Sequence, residues 1–261
     1  PRFLLVSIAI PPGLTAADIH ALYRGLMSAC GRYDVRLIGG DTSASRQGLF
    51  LSITLLGTTP KGRALFREGA QPGDGIYVTG TLGDSLAGLQ LLTGRRTPRR
   101  GTGLTGADRR FLENRHRHPT ARVEEGLWLN QAKLATAAID VSDGISGDLR
   151  HICAQSRVGA DLELAQLPIS PACRAYATTR GIVPAELALA GGEDYELLFT
   201  VSARDEPKLA RQARARQFLI TRIGTIRPHR FGLHLVGADG ARAPLPLTSY
   251  RHFASPTRPR G

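Results

Sequence analysis

Apolar positions repeat with two different periods along the chain, and each period predicts its own kind of element. Unbroken or alternating apolar runs predict strands at residues 2–10, 35–38, 49–58, 76–79, 137–141, 160–164, 195–201, 218–226 and 233–236. Apolar residues three and four apart predict helices after Thr15 and Gly83 and at residues 121–132, 145–157 and 204–216, with helical turns through 170–190. Because helices and strands alternate while several strands are adjacent, we expect an α+β fold with two α/β layered domains and mixed sheets.

Glycine and proline concentrate between residues 59 and 73, and this segment is the best candidate for a domain boundary. We therefore expect domains at residues 1–60 and 61–261. The first residue is Pro1, and the single methionine, Met27, lies inside a predicted helix. The chain also begins directly with a predicted strand. We expect it to be the carboxy-terminal portion of a longer protein, with its first domain incomplete.

The composition is that of a globular protein, with 42% hydrophobic and 21% charged residues. No apolar run approaches the roughly 20 residues that cross a bilayer, so we expect no membrane partner. The three cysteines, Cys30, Cys153 and Cys173, are widely spaced and have no metal-binding pattern around them. Their number and spacing favour a reducing cytoplasm over a disulfide-bonded compartment.

The net charge of +12 raises the possibility of a nucleic-acid partner. The excess is concentrated in residues 95–122 and 240–261, which favours two solvated basic segments over a binding face. A nucleic-acid-binding module would need aromatic residues interleaved with the arginines, and the first segment offers Phe111 alone. We therefore expect no nucleic-acid partner.

Acidic residues beside glycine follow or precede several predicted strands. Asp41 follows the strand at 35–38, Asp140 ends the strand at 137–141, and Asp143 comes three residues later. Glu193 and Asp194 precede the strand that begins at 195. Mg²⁺ prefers hard oxygen ligands and usually bridges one or two carboxylates to substrate phosphates. Three such acidic turns in one chain therefore predict a metal–phosphate site.

Each acidic residue also has a structural interpretation. Asp41 could be a turn residue that bonds its own backbone, and Asp143 could cap the helix at 145–157. Asp148 is expected to be solvated or structural, while Glu193 and Asp194 could form a solvated turn. The string G-x-G-x-x-G at 101–106 follows an arginine-rich loop instead of a strand, so it does not indicate a dinucleotide site. No Walker-type phosphate loop is present in the sequence.

Five segments, in this order and spacing, resemble the thiamine-monophosphate kinase family. They are Gly-Gly-Asp-Thr at 39–42, Gly-Asp-Gly-Ile-Tyr-Val-Thr-Gly-Thr-Leu-Gly-Asp-Ser-Leu-Ala-Gly at 73–88, His-x-x-Pro-x-x-Arg at 116–122, Ala-Ile-Asp-Val-Ser-Asp-Gly at 138–144 and Gly-Gly-Glu-Asp-Tyr-Glu-Leu at 191–197. The ending Tyr-x-His-Phe at 250–253 resembles the family's as well. The wider superfamily includes aminoimidazole ribonucleotide synthetase and selenophosphate synthetase.

The resemblance implies ATP-dependent, Mg²⁺-assisted phosphorylation of thiamine monophosphate to thiamine diphosphate by a cytoplasmic homodimer. It also implies roles for eight residues: Gly40, Asp41, Arg67 and Ser142 near the nucleotide, Asp41, Asp140 and Asp143 as Mg²⁺ ligands, and Glu193 and Tyr250 as contacts to the thiamine phosphate.

The family's amino-terminal acidic segments have no counterpart in this sequence, so we expect the 261-residue chain alone to be weakly active or inactive. Two alternatives to the kinase stay open: a superfamily relative that uses ATP on another acceptor, and an inactive truncated remnant.

Overall fold

The computed structural model describes residues 1–94 and 103–248, and the chain divides into two compact units, Pro1–Ala64 and Leu65–Gly261. The first unit contains strands β1 (Phe3–Ile10), β2 (Arg36–Ala44) and β3 (Phe50–Leu56) and one helix, α1 (Ala16–Arg32). Its sheet has the order β2-β1-β3, with β1 parallel to β2 and antiparallel to β3. Helix α1 begins at a capping box, in which Thr15 and Asp18 satisfy each other's backbone N–H groups.

The second unit is built on a seven-stranded mixed sheet. Its strands are β4 (Gly75–Thr79), β5 (Ala135–Asp140), β6 (Val158–Glu163), β7 (Leu197–Val201), β8 (Ile220–Pro228), β9 (Leu233–Val236) and β10 (Arg242–Pro244). Its helices are α2 (Asp84–Leu92), α3 (Gly106–Arg117), α4 (Val123–Ala132), α5 (Ile145–Ser156), α6 (Pro171–Arg180), α7 (Pro184–Ala190) and α8 (Glu206–Arg216). The strand order is β10-β9-β6-β8-β4-β7-β5, and β6 and β9 form its parallel pair.

Strand β4 is buried along its whole length and separates two apolar clusters. Because successive side chains of a strand point to opposite faces, Ile76 and Val78 join one cluster and Tyr77 the other. Ile76 and Val78 share their cluster with residues of α5, whereas Tyr77 stacks on Phe199 with ring centroids 5.7 Å apart. Burial on both faces explains why the sequence of β4 is an unbroken apolar run instead of an alternating one.

The expected α+β class with mixed sheets is confirmed, since both sheets contain parallel and antiparallel pairs. No helix among the described residues is long and apolar enough to cross a membrane.

Helix α3 was not predicted. Its sequence is dominated by charged residues, and Leu112 is its one buried side chain. The capping box formed by Thr105 and Asp108 was the local signal that could have revealed it. The arginine-rich loop and the first two residues of the G-x-G-x-x-G string fall on residues 95–102, outside the described part of the chain.

Strand β2 is longer than predicted. The Gly-Gly-Asp-Thr segment was expected to follow a strand ending at 38, but it lies inside β2, where Gly40 pairs with Val6 and Asp41 with Ser7 of β1. Parallel pairing with β1 recruits these residues despite the low strand propensity of glycine and aspartate. The interpretation of Asp41 as a turn residue is therefore wrong.

Candidate functional site

Asp140, one of the residues that the sequence singled out, is the last residue of β5. Strand β5 lies at one edge of its sheet, and the Ala138 N–H donates to the Phe66 carbonyl at 2.8 Å. This bond holds the segment that includes Arg67 beside the strand. Arg67 and Asp140 consequently line one cavity of about 600 Å³, which places a guanidinium and a carboxylate at the same opening.

The segment at 191–196, Gly-Gly-Glu-Asp-Tyr-Glu, is joined to the residues after β5 by three backbone hydrogen bonds. The Glu193 N–H donates to the Ser142 carbonyl at 2.8 Å, and the Tyr195 N–H donates to the Val141 carbonyl at 2.9 Å. The Val141 N–H donates in return to the Glu196 carbonyl at 2.8 Å. The approach is so close that a Cβ at Gly192 would stand 2.5 Å from the Ser142 carbonyl oxygen, so glycine is required there.

Side chains of this segment alternate between two environments. Glu193 and Tyr195 are exposed, whereas Asp194 and Glu196 are buried. The exposed pair lines a second cavity, of about 610 Å³, together with Ser85, Leu86, Leu89, Ser142, Asp143, Ala190 and Gly192. Three predicted site residues, Ser142, Asp143 and Glu193, therefore meet in one opening.

Asp194 anchors the segment to the start of α2. Its carboxylate accepts hydrogen bonds from the N–H groups of Gly83 at 2.6 Å and Ser85 at 3.0 Å. Burial raises the pKa of Asp194 to about 7, since it outweighs the lowering by these two bonds. The interpretation of Glu193 and Asp194 as a solvated turn is wrong for Asp194, which is 1% exposed.

Glu196 is fully buried and receives four hydrogen bonds. Thr79 donates its hydroxyl at 2.6 Å, and Arg115 donates Nη2 at 2.7 Å. Arg122 donates Nε at 2.6 Å and Nη2 at 2.7 Å, a bidentate arrangement. The arginines of 95–122 were expected to be solvated, and for Arg115 and Arg122 that expectation is wrong, since their side chains are only 13% and 21% exposed.

His116 connects this buried network to the cavity. Its Nδ1 lies 2.9 Å from the Ser85 hydroxyl and 3.5 Å from Oε2 of Glu193. Helix α3, which the sequence did not predict, thus presents Arg115 to the interior and His116 to the carboxylate at the cavity.

Asp148, and not Asp143, satisfies the amino end of α5. The helix has Gly144 as its N-cap without a side-chain cap, and the Asp148 carboxylate accepts from the N–H groups of Asp143 at 3.3 Å and Gly144 at 3.1 Å. The helix-cap interpretation of Asp143 is therefore wrong. Asp148 is structural and buried, not solvated. Burial, together with the negative charges of Asp143 and Asp140, raises its pKa to about 6, against the lowering by the two backbone hydrogen bonds.

The donor set around the end of β5 suits a hard divalent cation. Asp140 and Asp143 are close enough for their charges to act on both Asp148 and Tyr195. Among residues 1–94 and 103–248, no three acidic, histidine or cysteine side chains form a complete ligand set. Mg²⁺ commonly takes one or two carboxylates and completes its shell with water and phosphate oxygens, so two carboxylates are enough for a fit.

The remaining predicted residues are Gly40, Asp41 and Tyr250. In the first unit, a Cβ at Gly40 would stand 1.7 Å from the Val6 carbonyl oxygen, so the pairing of β1 and β2 requires glycine. Asp41 is exposed on β2. Tyr250 lies outside the described residues.

Sequence reasoning assigned no role to Arg115, His116, Glu196 or Tyr195. The motif at 116–122 and the alternation of acidic and other residues at 193–196 were the available signals. Neither signal shows which residues pair with each other, because Arg122 and Glu196 are 74 residues apart in the sequence.

Comparisons with known proteins agree with this architecture. The family model for the AIR synthase related protein, N-terminal domain, matches residues 1–59, and that for the C-terminal domain matches residues 71–235. The thiamine-monophosphate kinase of Escherichia coli O157:H7 is 38% identical over 259 residues, which cover 98% of this chain and 75% of the relative.

Two solved structures are similar over nearly the whole chain. The thiamine-monophosphate kinase of Stenotrophomonas maltophilia K279a has a TM-score of 0.78 and 37% identity, and the alignment covers 93% of this chain and 73% of that one. AaThiL complexed with AMPPCP and TMP has a TM-score of 0.81 and 32% identity, with 97% and 74% covered. With five motifs in order, both domain models matched and this degree of identity, the chain belongs to the thiamine-monophosphate kinase family of AIR synthase related proteins.

Proposed function

We propose that this protein transfers the γ-phosphoryl group of ATP directly to the phosphate of thiamine monophosphate, giving thiamine diphosphate and ADP. The observation that carries the proposal is the cavity of about 610 Å³ in which Ser142, Asp143 and Glu193 meet. The complex of AaThiL with AMPPCP and TMP, which is 32% identical to this chain, supports the choice of both substrates.

Most of the proposed roles in the second unit belong to the two cavities described above. Arg67 contacts ATP phosphates, and Ser142 contacts the nucleotide. Glu193 contacts the substrate, thiamine monophosphate, as does Tyr250. Joining two anionic phosphates is mainly a matter of charge and alignment, because the attacking phosphate oxygen is already ionised and needs little base catalysis. The positive charge of Arg67 beside the cavity that Asp140 also lines suits this task.

Asp140 and Asp143 are the residues of the second unit that would hold Mg²⁺, and Asp41 is the proposed ligand of the first unit, next to Gly40 near the nucleotide. Bound Mg²⁺ would neutralise phosphate charge and orient the transferred group. The rigid attachment of 191–196 to 141–142 by three backbone bonds supports the proposal, since it fixes Glu193 relative to Asp143 without requiring the ligand.

The proposed homodimer is supported by the exposed apolar side chains on β3 of the first unit. They are Phe50, Leu51, Ile53, Leu55 and Leu56. Apolar patches of this kind commonly mark an interface. The cytoplasmic location is supported by the three free, buried cysteines.

The experiment is to incubate the protein with Mg-ATP and thiamine monophosphate and to follow ADP and thiamine diphosphate by chromatography. The 261-residue chain and the protein translated from the start codon of its gene are assayed side by side. Equal formation of both products supports the kinase. ADP without thiamine diphosphate indicates a superfamily relative with another acceptor. Neither product from a folded, dimeric sample would favour the inactive remnant.

Asp143→Asn separates chemistry from fold. We expect kcat to fall by about 10²-fold or more, because a charged ligand is lost where phosphate charge develops. The start of α5 should stay intact, since Asp148 and not Asp143 accepts its N–H groups. Asp148→Asn is the matched control: asparagine keeps an oxygen that can accept both N–H groups and removes a charge that burial disfavours, so stability and kcat should both be largely retained. Full activity of Asp143→Asn would contradict the assignment of Asp143.

A further inference from the structure

Tyr195 is an aromatic residue at the proposed substrate cavity to which no role has yet been given. It lines the same cavity as Glu193 and Asp143 and is 39% exposed. The alternation at 193–196 directs it to the cavity side, while Asp194 and Glu196 on either side of it are buried. Its side chain is therefore presented to a ligand and contributes little to the core.

The backbone at this position is held in a conformation that non-glycine residues avoid. Glu193 has φ of +62° and Tyr195 has φ of +51°, and both fall in the left-handed region. For residues with a Cβ this conformation is strained and persists where the surroundings enforce it. The hydrogen bonds of these two residues to Ser142 and Val141 enforce it here. Strain of this kind clusters at ligand-binding sites, and it places both side chains on one side of the segment.

The Glu193 carboxylate lines the cavity together with Tyr195 and is not one of the proposed Mg²⁺ ligands, so its negative charge remains available to a bound ligand. The pKa of Tyr195 is raised by burial and by the charges of Glu193, Asp140 and Asp143. An aromatic face with carboxylates close by attracts a cation and repels an anion. A positively charged ring fits this surface, whereas a neutral adenine ring gains nothing from the carboxylates.

We propose that Tyr195 is a specificity-determining residue whose ring packs against the cationic thiazolium of the acceptor, while the Glu193 carboxylate attracts the same positive charge. This inference rests on the proposed function, because it names the part of the cavity that recognises the acceptor's charge. The contact proposed for Tyr195 is additional to the one proposed for Tyr250. The carboxylate supplies long-range attraction, and the aromatic face supplies selection for a flat cation.

The test compares two ligands of the same shape. Thiamine monophosphate carries the thiazolium, and its isostere with thiophene in that place is neutral. Dissociation constants are measured by calorimetry, with the product expressed from the gene's own start codon. Wild type should bind the cation about 2- to 30-fold more tightly than the neutral ligand through the aromatic contact. Tyr195→Phe should keep this ratio, and Tyr195→Leu should reduce it by that factor with the affinity for AMPPCP unchanged.

Phe231→Leu is the matched control, since Phe231 is 40% exposed and does not line the cavity. It should leave the ratio unchanged. Thermal unfolding shows that each variant is folded, and Tyr195→His serves as a second aromatic replacement that should keep part of the ratio. An unchanged ratio in Tyr195→Leu, or a loss of AMPPCP affinity instead, overturns the role of Tyr195 while the kinase proposal stands. A wild-type protein that binds neither thiamine ligand overturns both.

Discussion

Glu196→Gln tests whether the buried network holds the second unit together. Glutamine keeps the size of the side chain but removes the charge that faces Arg115 and Arg122. Removing one partner of a buried ion pair costs about 3–5 kcal/mol. Because the two guanidinium groups retain 13% and 21% exposure, water relieves part of the cost, and the lower figure of about 3 kcal/mol is expected.

Urea unfolding followed by tryptophan fluorescence measures this loss. Trp128 is the single tryptophan of the chain, lies in the second unit and is 4% exposed, so its emission reports the unfolding of that unit. With an m-value of about 2 kcal/mol per M, the midpoint should fall by about 1.5 M.

Glu163→Gln is the matched control. Glu163 pairs with Arg222 at 3.5 Å, and both side chains are about 40% exposed, at 39% and 40%. An exposed pair contributes about 0–1 kcal/mol, so the midpoint should move by less than about 0.5 M. If Glu196→Gln shifted the midpoint no further than Glu163→Gln, the network would not stabilise the unit and the reasoning would be refuted.

Two further predictions concern the groups that connect this network to the cavity. Because burial raises the pKa of Asp194 from 3.8 to about 7, folding takes up a proton; the resulting stability is complete below about pH 4 and is lost as pH rises through 7. Asp194→Asn should therefore flatten the fall in urea midpoint between pH 5 and pH 8, and an unchanged slope would contradict the assignment. His116→Leu should raise the KM for thiamine monophosphate by about 2- to 10-fold with little change in kcat, because Glu193 loses a polar neighbour. His116→Asn, which keeps a nitrogen near Nδ1, should restore the KM; failure to do so would argue against a positioning role.

The alternation and helical periodicity of apolar residues were sufficient to predict the fold class. Strand β4 shows why, since burial on both faces leaves an unbroken apolar run. Helix α3 shows the limit of this signal, because one buried leucine gives no periodicity and its stability comes from a capping box and from packing on α2 and α6. Strand β2 shows a second limit: pairing with β1 overrides the turn propensity of Gly39–Asp41.

Residues of the candidate site were predictable where chemistry and chain position coincide. Asp143 and Glu193, which line one cavity, were singled out because each stands beside glycine next to a predicted strand. Asp194 and Glu196 lie in the same acidic segment, but their side chains are buried. Their hydrogen-bond partners belong to segments that are distant in the sequence. A sequence shows charge but not which side of a segment is buried. It therefore could not distinguish the residues that face the cavity from those whose buried hydrogen bonds fix the segment in place.

The buried pair Thr79–Glu196 has a consequence for how the protein is made. These residues are 117 positions apart, so β4 leaves the ribosome long before its neighbour β7. At about 5–20 residues per second, roughly 6–23 s pass between the two events. During that interval a strand that is apolar on both faces has no partner and is open to aggregation. Because aggregation of this exposed strand competes with its later pairing, expression at lower temperature, where hydrophobic association weakens, should increase the soluble yield.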